Sequence, residues 1–388
     1  MIRRALGLLA LSATVVSPVA GQSLYNAAGL GVPVEALDGR ARALGNLGIG
    51  LRGGSFMPTD PGALGRLSSA TGVMAAQPSW VDYSLDAGSA GSFQGTRFPL
   101  LGIAYPLLSG MMSVQIGSFL DQNYEVQRQT EVDFGRGPVA ATDDFQQDGS
   151  ISNLNLGFSR MFGDRISAGI TAGRYAGSME RSLTRSYGDE ETSDVDEYVE
   201  RGEWSYKAWA FTGGIAADVF SRARVAVSVH VPMELEAEAS EDTRGGDRTY
   251  TLPIQYRAGA TVTIAPALNV SGSISLADWG DTQQDLEGAA IAGNQNGFGL
   301  GVELTRASFF GKSAPLRLGF RRTGLPFSFD EGGATERVLS GGFGLELSRV
   351  DDVVLASVDL AIERGRREGV GLKEDYWRAT ISLLAAGF

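Results

Sequence analysis

Histidine and cysteine, which supply many of the nucleophiles, general bases and zinc ligands of proteins, are nearly absent from this chain. It has no cysteine and one histidine, His230. Without cysteine there is no disulfide, no thiolate nucleophile and no cysteine-based zinc site. His230 alternates with valines, so its ring is expected on the polar face of a strand, where a solvated role is more common than a catalytic one. The sequence predicts no enzyme, no catalytic residue, no metal site and no cofactor.

A second set of residues with possible chemistry is charged and lies on segments that alternate polar and apolar residues. The sign of the charge nearly alternates from one segment to the next, which indicates cross-strand ion pairs. Independently solvated charges in a wet interior explain the pattern equally well. Glu363 belongs to this set. The candidates expected to line such an interior are His230, Arg257, Glu303, Arg317, Arg321, Glu346, Asp359 and Arg378.

Familiar binding motifs are weak here. Gly48, Gly50 and Gly53 match the GxGxxG spacing, but no strand–helix–strand unit surrounds them, so a dinucleotide site is not expected. No phosphate-binding GK[ST] sequence and no GxSxG nucleophile motif occur. The formal net charge of −12 argues against nucleic-acid binding.

Two acidic stretches, 186–200 and 236–247, follow strand-like segments. Carboxylates can hold calcium through hard oxygen ligands, but the glycine spacing of an EF-hand is missing. Solvated acidic loops and a calcium site are both left open.

The first 21 residues have the layout of a targeting segment. Arg3 and Arg4 precede an apolar stretch of 12 residues, 5–16, and small residues follow. This layout predicts a secretory signal peptide covering 1–21. No later segment reaches 18 continuous apolar residues, so a membrane form of the mature protein would have to be a β-barrel.

Fourteen later segments alternate apolar and polar residues with a period of two, which predicts strands. In 267–277, for example, Leu268, Val270, Ile274 and Leu276 share one face. The predicted strands are 71–85, 93–107, 110–132, 145–162, 165–185, 197–219, 222–238, 247–264, 267–279, 297–307, 314–323, 335–349, 352–365 and 373–386.

The connections between these strands alternate in length. Tight turns are expected at 108–109, 163–164, 220–221, 265–266 and 350–351, and long loops at 133–144, 186–196, 239–246, 280–296 and 324–334. This alternation along an even number of strands is typical of an outer-membrane barrel, with the long loops outside. The sequence therefore predicts an all-β, antiparallel transmembrane barrel of about 14 strands over 71–388.

Aromatic residues near both ends of the predicted strands suggest two interfacial belts. A soluble sandwich with scattered aromatics is the alternative. The expected belt residues are Trp80, Trp204, Trp279, Trp377, Tyr83, Tyr250 and Tyr376 toward the long loops, with Trp209 deeper, and Tyr105, Phe162, Phe220, Phe309 and Phe310 toward the short turns.

Residues 22–70 are glycine-rich and lack a period. They read GRARALGNLGIG over 39–50 and GGSFMPTDPGAL over 53–64, and the chain closes with GLKEDYWRATISL over 371–383. These stretches resemble the FadL/TodX family of outer-membrane transport proteins, which includes PorV-like proteins. In place of the family's Asn-Pro-Ala-type motif this chain has Asp60, Pro61 and Gly62.

The resemblance implies a 14-stranded barrel in the cell outer membrane whose N-terminal segment, 22–70, plugs the lumen. A barrel of that size also encloses more space than its own side chains fill, although a free periplasmic tail is the alternative. The candidate plug residues are Arg40, Arg42, Arg52, Asp60 and Pro61.

The family implies passive transport of hydrophobic small molecules, such as fatty-acid-like or aromatic compounds, which leave sideways through a strand kink. The acidic outer loops have few apolar residues and put ligand capture in doubt. Glycine pairs at 213–214 and 341–342 are candidate kinks or packing positions. The alternative function is a PorV-like role in protein secretion or surface attachment. Expected partners are outer-membrane lipid, a hydrophobic ligand, a secreted protein and the barrel assembly machinery.

Overall fold

The computed structural model describes residues 23–53, 56–86, 88–133, 137–187, 196–286, 288, 290–309, 311–350 and 353–387. The predicted signal peptide lies outside these residues, as does Phe310. No helix in the described part is long and apolar enough to cross a membrane.

Fourteen antiparallel strands close into one barrel, because the last strand pairs with the first from Thr71↔Ala386 to Leu85↔Leu372. Three strands, β3, β7 and β8, are each interrupted and consist of two pieces. The strands are β1 Thr71–Leu85, β2 Ala90–Leu107, β3 Gly110–Asp121 and Tyr124–Asp133, β4 Pro138–Phe162, β5 Ile166–Tyr187, β6 Tyr198–Val219, β7 Ala223–Pro232 and Leu235–Ala239, β8 Arg248–Tyr250 and Gln255–Ala265, β9 Leu268–Ala277, β10 Gly297–Leu304, β11 Leu316–Leu325, β12 Ala334–Val350, β13 Val353–Gly369 and β14 Leu372–Ala386.

The predicted fold and strand number are confirmed, and the burial pattern shows why the sequence carried them. Along the first piece of β7, Val225, Val227 and Val229 are exposed on the outer face, whereas Ser228 and His230 are buried inside. A barrel wall with lipid outside and polar groups inside imposes this alternation.

The tight turns predicted at 108–109, 163–164, 220–221 and 265–266 are confirmed, whereas the turn at 350–351 and the long loop at 186–196 lie partly outside the described residues. Leu108 and Ser109 both have positive φ angles, 54° and 59°, as in the type I′ turn that matches the twist of two paired strands. The loop expected at 133–144 is wrong, however: β4 already begins at Pro138 and pairs there with Asp133. With 25 residues, β4 is longer than the 9–11 or so that cross a bilayer.

Part of the aromatic prediction is wrong. Trp80, Trp377 and Trp209 are about half exposed on the outer face, as belt residues should be. Four of the expected belt residues instead have 0–6% exposure and point inward, because each occupies an inward position of its strand or lies on a loop that folds into the barrel. They are Trp204, Tyr250, Trp279 and Tyr376.

The N-terminal segment, residues 23–70, contains a short 3₁₀ helix, Leu24–Ala27, and two short α-helices, α1 Gly39–Ala43 and α2 Pro61–Leu64. Most side chains between residues 30 and 51 are buried. The segment contacts inward positions of the wall: the Gly39 N–H donates to Ser382 Oγ at 2.9 Å and the Leu47 N–H donates to Ser273 Oγ at 3.0 Å. Its role as a plug stays a prediction.

The glycine pairs do not kink their strands. The ladder is continuous through Gly213 and Gly214 and through Gly341 and Gly342. A Cβ on Gly214 would lie 2.9 Å from Cδ of Pro61, and one on Gly342 would lie 2.8 Å from Cβ of Ala43. Of the two readings left open, these contacts support packing against the N-terminal segment.

Candidate functional site

The barrel wall is incompletely hydrogen-bonded between β2 and β3. Their pairing runs from Leu107↔Gly110 to Leu100↔Gly117 and ends there. Beyond this point β2 pairs with β1 and β3 pairs with β4 on its other side, but within the described residues β2 and β3 do not pair with each other. Pro99 is where β2 leaves the ladder, and proline has no N–H to donate to a neighbouring strand. We call this unpaired stretch, between 90–99 and 118–133, the seam.

Residues of the N-terminal segment occupy the inner side of the seam. Val32 pairs with Asp121 and Pro33 with Leu120, and the Val34 N–H donates to the Phe119 carbonyl at 2.8 Å. The approach is close enough that a Cβ on Gly31, whose φ is 91°, would lie 2.2 Å from the Asp121 carbonyl oxygen. The segment therefore satisfies an edge that β2 leaves open.

β3 is bent at the seam. Its register against β4 shifts between Ser118 and Leu120, so Phe119 is an extra residue of the kind found in a β-bulge. The strand is interrupted after Asp121. The Phe119 ring stacks on Tyr175 with their centroids 4.2 Å apart. The bulge thus lies in β3, whereas the glycine pairs lie in continuous ladders.

A cavity of about 80 Å³, lined by both polar and apolar residues, lies between the N-terminal segment and the wall, beside the bend in β3. The His230 ring lines it, with Nε2 2.7 Å from Tyr175 Oη and Nδ1 2.8 Å from Thr212 Oγ1. Arg257 also lines it, and within the described ranges no ion pair or hydrogen bond joins its guanidinium to another residue. Both candidates face the interior, but neither joins the charged network described next.

The inner wall from β11 through β14 and β1 to β3 carries a network of buried charges. Arg321 lies 3.1 Å from Glu35 of the N-terminal segment and 3.3 Å from both Glu336 and Glu363. The remaining pairs are Arg42 with Glu35 and Glu363, Arg367 with Glu336 and Glu374, Arg378 with Glu363, and Arg97 with Asp121. We call these five arginines and five carboxylates the arginine–carboxylate network.

A smaller cluster lies closer to the short turns. Glu303 accepts from Arg40 at 2.8 Å and from Arg317 at 2.9 Å, and Arg317 also pairs with Asp359. Glu346 lines the same cavity as this cluster, but its ion pair is with the exposed Arg349, three residues away on its own strand, at 2.7 Å. Glu346 lies near the end of β12 at the short-turn side of the barrel, where residues 347–350 are exposed. Glu346 is therefore not part of the cross-strand pairs.

Burial and charge shift the pKa values of two groups in the N-terminal segment. Burial, together with the nearby Asp359 carboxylate, raises the pKa of Asp38 from 3.8 to about 6. Burial also lowers the pKa of Arg42, and the neighbouring Arg321 cation acts in the same direction. Burial therefore disfavours the charged forms of Asp38 and Arg42, and groups of opposite charge nearby are needed to stabilise them.

The other candidate plug residues hold the segment by hydrogen bonds. Arg52 donates to Thr263 Oγ1 at 2.7 Å and to the Ser221 carbonyl at 3.0 Å. Asp60 caps α2 by accepting from the Ala63 N–H at 3.1 Å, and it also accepts from the Gly50 N–H at 3.1 Å. Pro61 follows as the first helical residue, where its missing N–H costs nothing.

The outer mouth is filled by apolar and aromatic groups on the opposite side of the barrel. Trp279 and Phe327 come from the loops after β9 and β11, and their rings lie 5.2 Å apart, edge to face. They pack with inward residues of β5–β8. The expectation of few apolar residues holds for the acidic stretches, but these other loops bring apolar groups into the mouth. The buried aromatic members of this mouth cluster are Tyr175, Trp204, Tyr206, Tyr250, Trp279 and Phe327.

Sequence reasoning missed six of the ten residues of the arginine–carboxylate network, Arg97 among them. Glu336, Arg367 and Glu374 lie at inward positions of their strands, as the predicted interior residues do, so the period of two could have identified them. Glu35 and Asp121 had none, because the N-terminal segment lacks a period and β3 bends at Asp121. Within the described residues, no group of three or more His, Asp or Glu side chains could hold a metal ion.

Several solved structures share this fold. The crystal structure of a Pseudomonas aeruginosa FadL homologue matches 92% of this chain and 99% of its own with a TM-score of 0.64 and 12% identity. The Pseudomonas putida toluene transporter TodX matches 92% and 98% with a TM-score of 0.58 and 12% identity. CymD, a monoaromatic hydrocarbon channel, matches 92% and 98% with a TM-score of 0.54 and 11% identity.

No family model and no curated protein matches the sequence. The likeness at 11–12% identity is one of fold over nearly the full length of each neighbour. The predicted resemblance to FadL-type outer-membrane barrels is therefore confirmed for the fold.

Proposed function

We propose that this barrel, which has the fold of FadL-type outer-membrane channels, lets hydrophobic small molecules cross the outer membrane passively and leave sideways through the seam. The main observation that supports this proposal is the seam. A continuous barrel wall admits no lateral exit, whereas here β2 and β3 separate above Leu100 and Gly117. The obstacle at that place is the chain's own N-terminal segment.

Passage requires movement of residues 31–36. The cavity beside the seam holds about 80 Å³, whereas an apolar cavity that binds benzene measures about 150 Å³. Two backbone pairs with β3, the hydrogen bond from the Val34 N–H to Phe119 and the ion pairs of Glu35 with Arg321 and Arg42 hold this region closed. Opening the seam therefore requires these contacts to break together.

The mouth cluster supports the same class of substrate. Its apolar and aromatic side chains offer a hydrophobic compound dispersion contacts and relief from water. Phe119 stacks on Tyr175, a member of the mouth cluster, so apolar groups continue from the mouth to the seam. Fatty-acid-like or monoaromatic compounds are the substrates that we propose.

A disulfide that locks the seam tests this proposal. Pro33 and Leu120 are antiparallel partners, whose Cα atoms are typically about 4.5–5.5 Å apart, within the range that a disulfide bridges. The protein has no native cysteine to interfere. The measurement is uptake of radiolabelled toluene and oleate by Gram-negative cells that produce the Pro33→Cys/Leu120→Cys variant.

We expect uptake of at least one probe above the empty-vector level with the unmodified protein, loss of this uptake on oxidation of the variant, and recovery on reduction. The matched control, Glu236→Cys/Thr249→Cys, joins β7 to β8 at an exposed pair beside the second interruption in the wall and should leave uptake unchanged. Full transport by the oxidised seam variant would overturn the lateral route. Uptake at vector level by the unmodified protein would overturn transport itself.

A PorV-like secretion role is the second candidate, favoured by the exposed acidic loop at 239–247. Under that function the purified barrel should carry a stoichiometric exported protein and no hydrophobic compound. Mass spectrometry of the complex in mild detergent distinguishes the two functions.

A further inference from the structure

A row of arginines crosses the outer face of the barrel toward the long-loop end. Arg322 of β11 is the direct partner of Arg337 on β12, and Arg337 is the direct partner of Arg366 on β13. All three side chains are exposed. Like charges directly opposite each other destabilise a sheet, so folding alone does not account for this arrangement.

The protein neutralises only one end of the row. Arg366 makes a two-pronged ion pair with Asp375, with both N–O distances at 2.9 Å. Arg364 lies 3.5 Å from the same carboxylate and 5.3 Å above the Trp377 ring. In the part of the chain that the structure describes, Arg322 and Arg337 have no ion pair or hydrogen bond.

A further carboxylate on this face is also engaged. Glu368 lies on β13, two residues beyond Arg366, and is 3.9 Å from Lys373. On the far side of the barrel the balance is reversed, because Lys207 is matched by both Glu236 and Glu238. Uncompensated positive charge is thus a property of the patch on β11–β13.

The patch lies where the apolar band of the wall ends. Along β11 the exposed Leu318 and Phe320 precede Arg322, and on β12 Arg337 is followed by the exposed Leu339. Trp80 and Trp377, direct partners across β1 and β14, lie one outward position from this row, because Trp377 is opposite Arg364 and Arg366 is opposite Asp375. Arginines at this depth meet lipid head groups rather than bulk water.

We propose that Arg322 and Arg337, with Arg364 and Arg366 beside them, form a binding site for the phosphates of the glycolipid in the outer leaflet. A guanidinium offers a planar pair of donors that matches two phosphate oxygens. Two unpaired arginines in register present two such pairs side by side, which suits a head group with more than one phosphate. The site depends on the outward orientation of the long loops but not on transport.

Binding of purified lipid A to the full-length mature barrel in neutral detergent tests the site. Native mass spectrometry counts bound lipids for the unmodified protein and for Arg322→Gln/Arg337→Gln. The matched control is Arg174→Gln, an exposed arginine on β5 whose direct partners are Leu154 and Trp209. Dephosphorylated lipid A, phosphatidylglycerol and phosphatidylcholine are the comparison lipids.

We expect the double variant to bind lipid A about tenfold more weakly, because two charge-assisted phosphate contacts are lost. Arg174→Gln should bind as the unmodified protein does, and dephosphorylated lipid A should bind no better than phosphatidylcholine. Unchanged binding by the double variant would overturn the site. Equally tight phosphatidylglycerol binding would overturn the assignment to the glycolipid. Neither result bears on uptake, so the transport proposal succeeds or fails separately.

Discussion

The two sides of the barrel interior are stabilised by different kinds of interaction. The arginine–carboxylate network lines β11–β14 and β1–β3 and pairs five arginines with five carboxylates, two of these ten residues, Glu35 and Arg42, coming from the N-terminal segment. The mouth cluster on β5–β8 and the nearby loops is aromatic and apolar. Buried ions need particular partners, and their loss leaves an unmatched charge. Apolar groups need only good packing. The seam lies where these two sides meet, between the Arg97–Asp121 pair and the Phe119–Tyr175 stack.

The largest effect is expected on the charged side. Arg321→Gln leaves Glu35, Glu336 and Glu363 without their shared cation, and loss of one partner of a buried ion pair costs about 3–5 kcal/mol. Urea unfolding in detergent micelles measures it. Arg322→Gln, at the next residue and on the outer face, should change stability by less than about 0.5 kcal/mol. Equal losses for the two variants would contradict the partner-dependent account.

On the apolar side the expected cost follows the volume removed. Phe327 is 2% exposed, and Phe327→Ala should destabilise by about 3 kcal/mol through lost burial and a cavity. Phe309→Ala, at an exposed ring near a short turn, is the control and should have little effect. The same urea titration compares the two variants. An unchanged midpoint for Phe327→Ala would show that the mouth cluster is not a packed core.

A smaller effect, of opposite sign, is expected at Asp38. Because its folded pKa is raised to about 6, the folded state binds this proton more tightly than the unfolded state, and stability falls as pH rises from about 4 to 6. Asp38→Asn keeps an oxygen that can accept from the Ala41 N–H. We expect it to remove this pH dependence and to add about 2 kcal/mol at pH 7. Unfolding midpoints between pH 4 and 7 check it. Parallel pH profiles for the variant and the unmodified protein would contradict the shift.

The smallest effect is expected at Arg257, which also lines the interior but has no ion pair among the described residues. Arg257→Gln removes a buried charge that forms no ion pair, so stability should stay the same or rise by less than about 1 kcal/mol. A loss as large as that of Arg321→Gln, in the same urea assay, would remove the distinction between paired and unpaired arginines.

The sequence by itself determined the barrel. Alternation such as Val225 to Val231 around His230 fixes which face of a strand meets lipid, and the alternating turn lengths fix the order of fourteen strands. These are local properties with a period of two, so they can be read from neighbouring residues. The same period of two places charged residues of β10–β14 on the inner face, although it does not show which residue pairs with which.

Only the tertiary structure decided the site. Glu35, Arg42 and Arg321 meet because a segment without a period returns to a wall nearly 300 residues away in sequence. Gly214 and Gly342 proved to be packing positions because Pro61 and Ala43 lie against them. Trp279 faces inward because its loop folds into the mouth. Each of these facts depends on which distant side chain fills a given space, and close packing in three dimensions sets that.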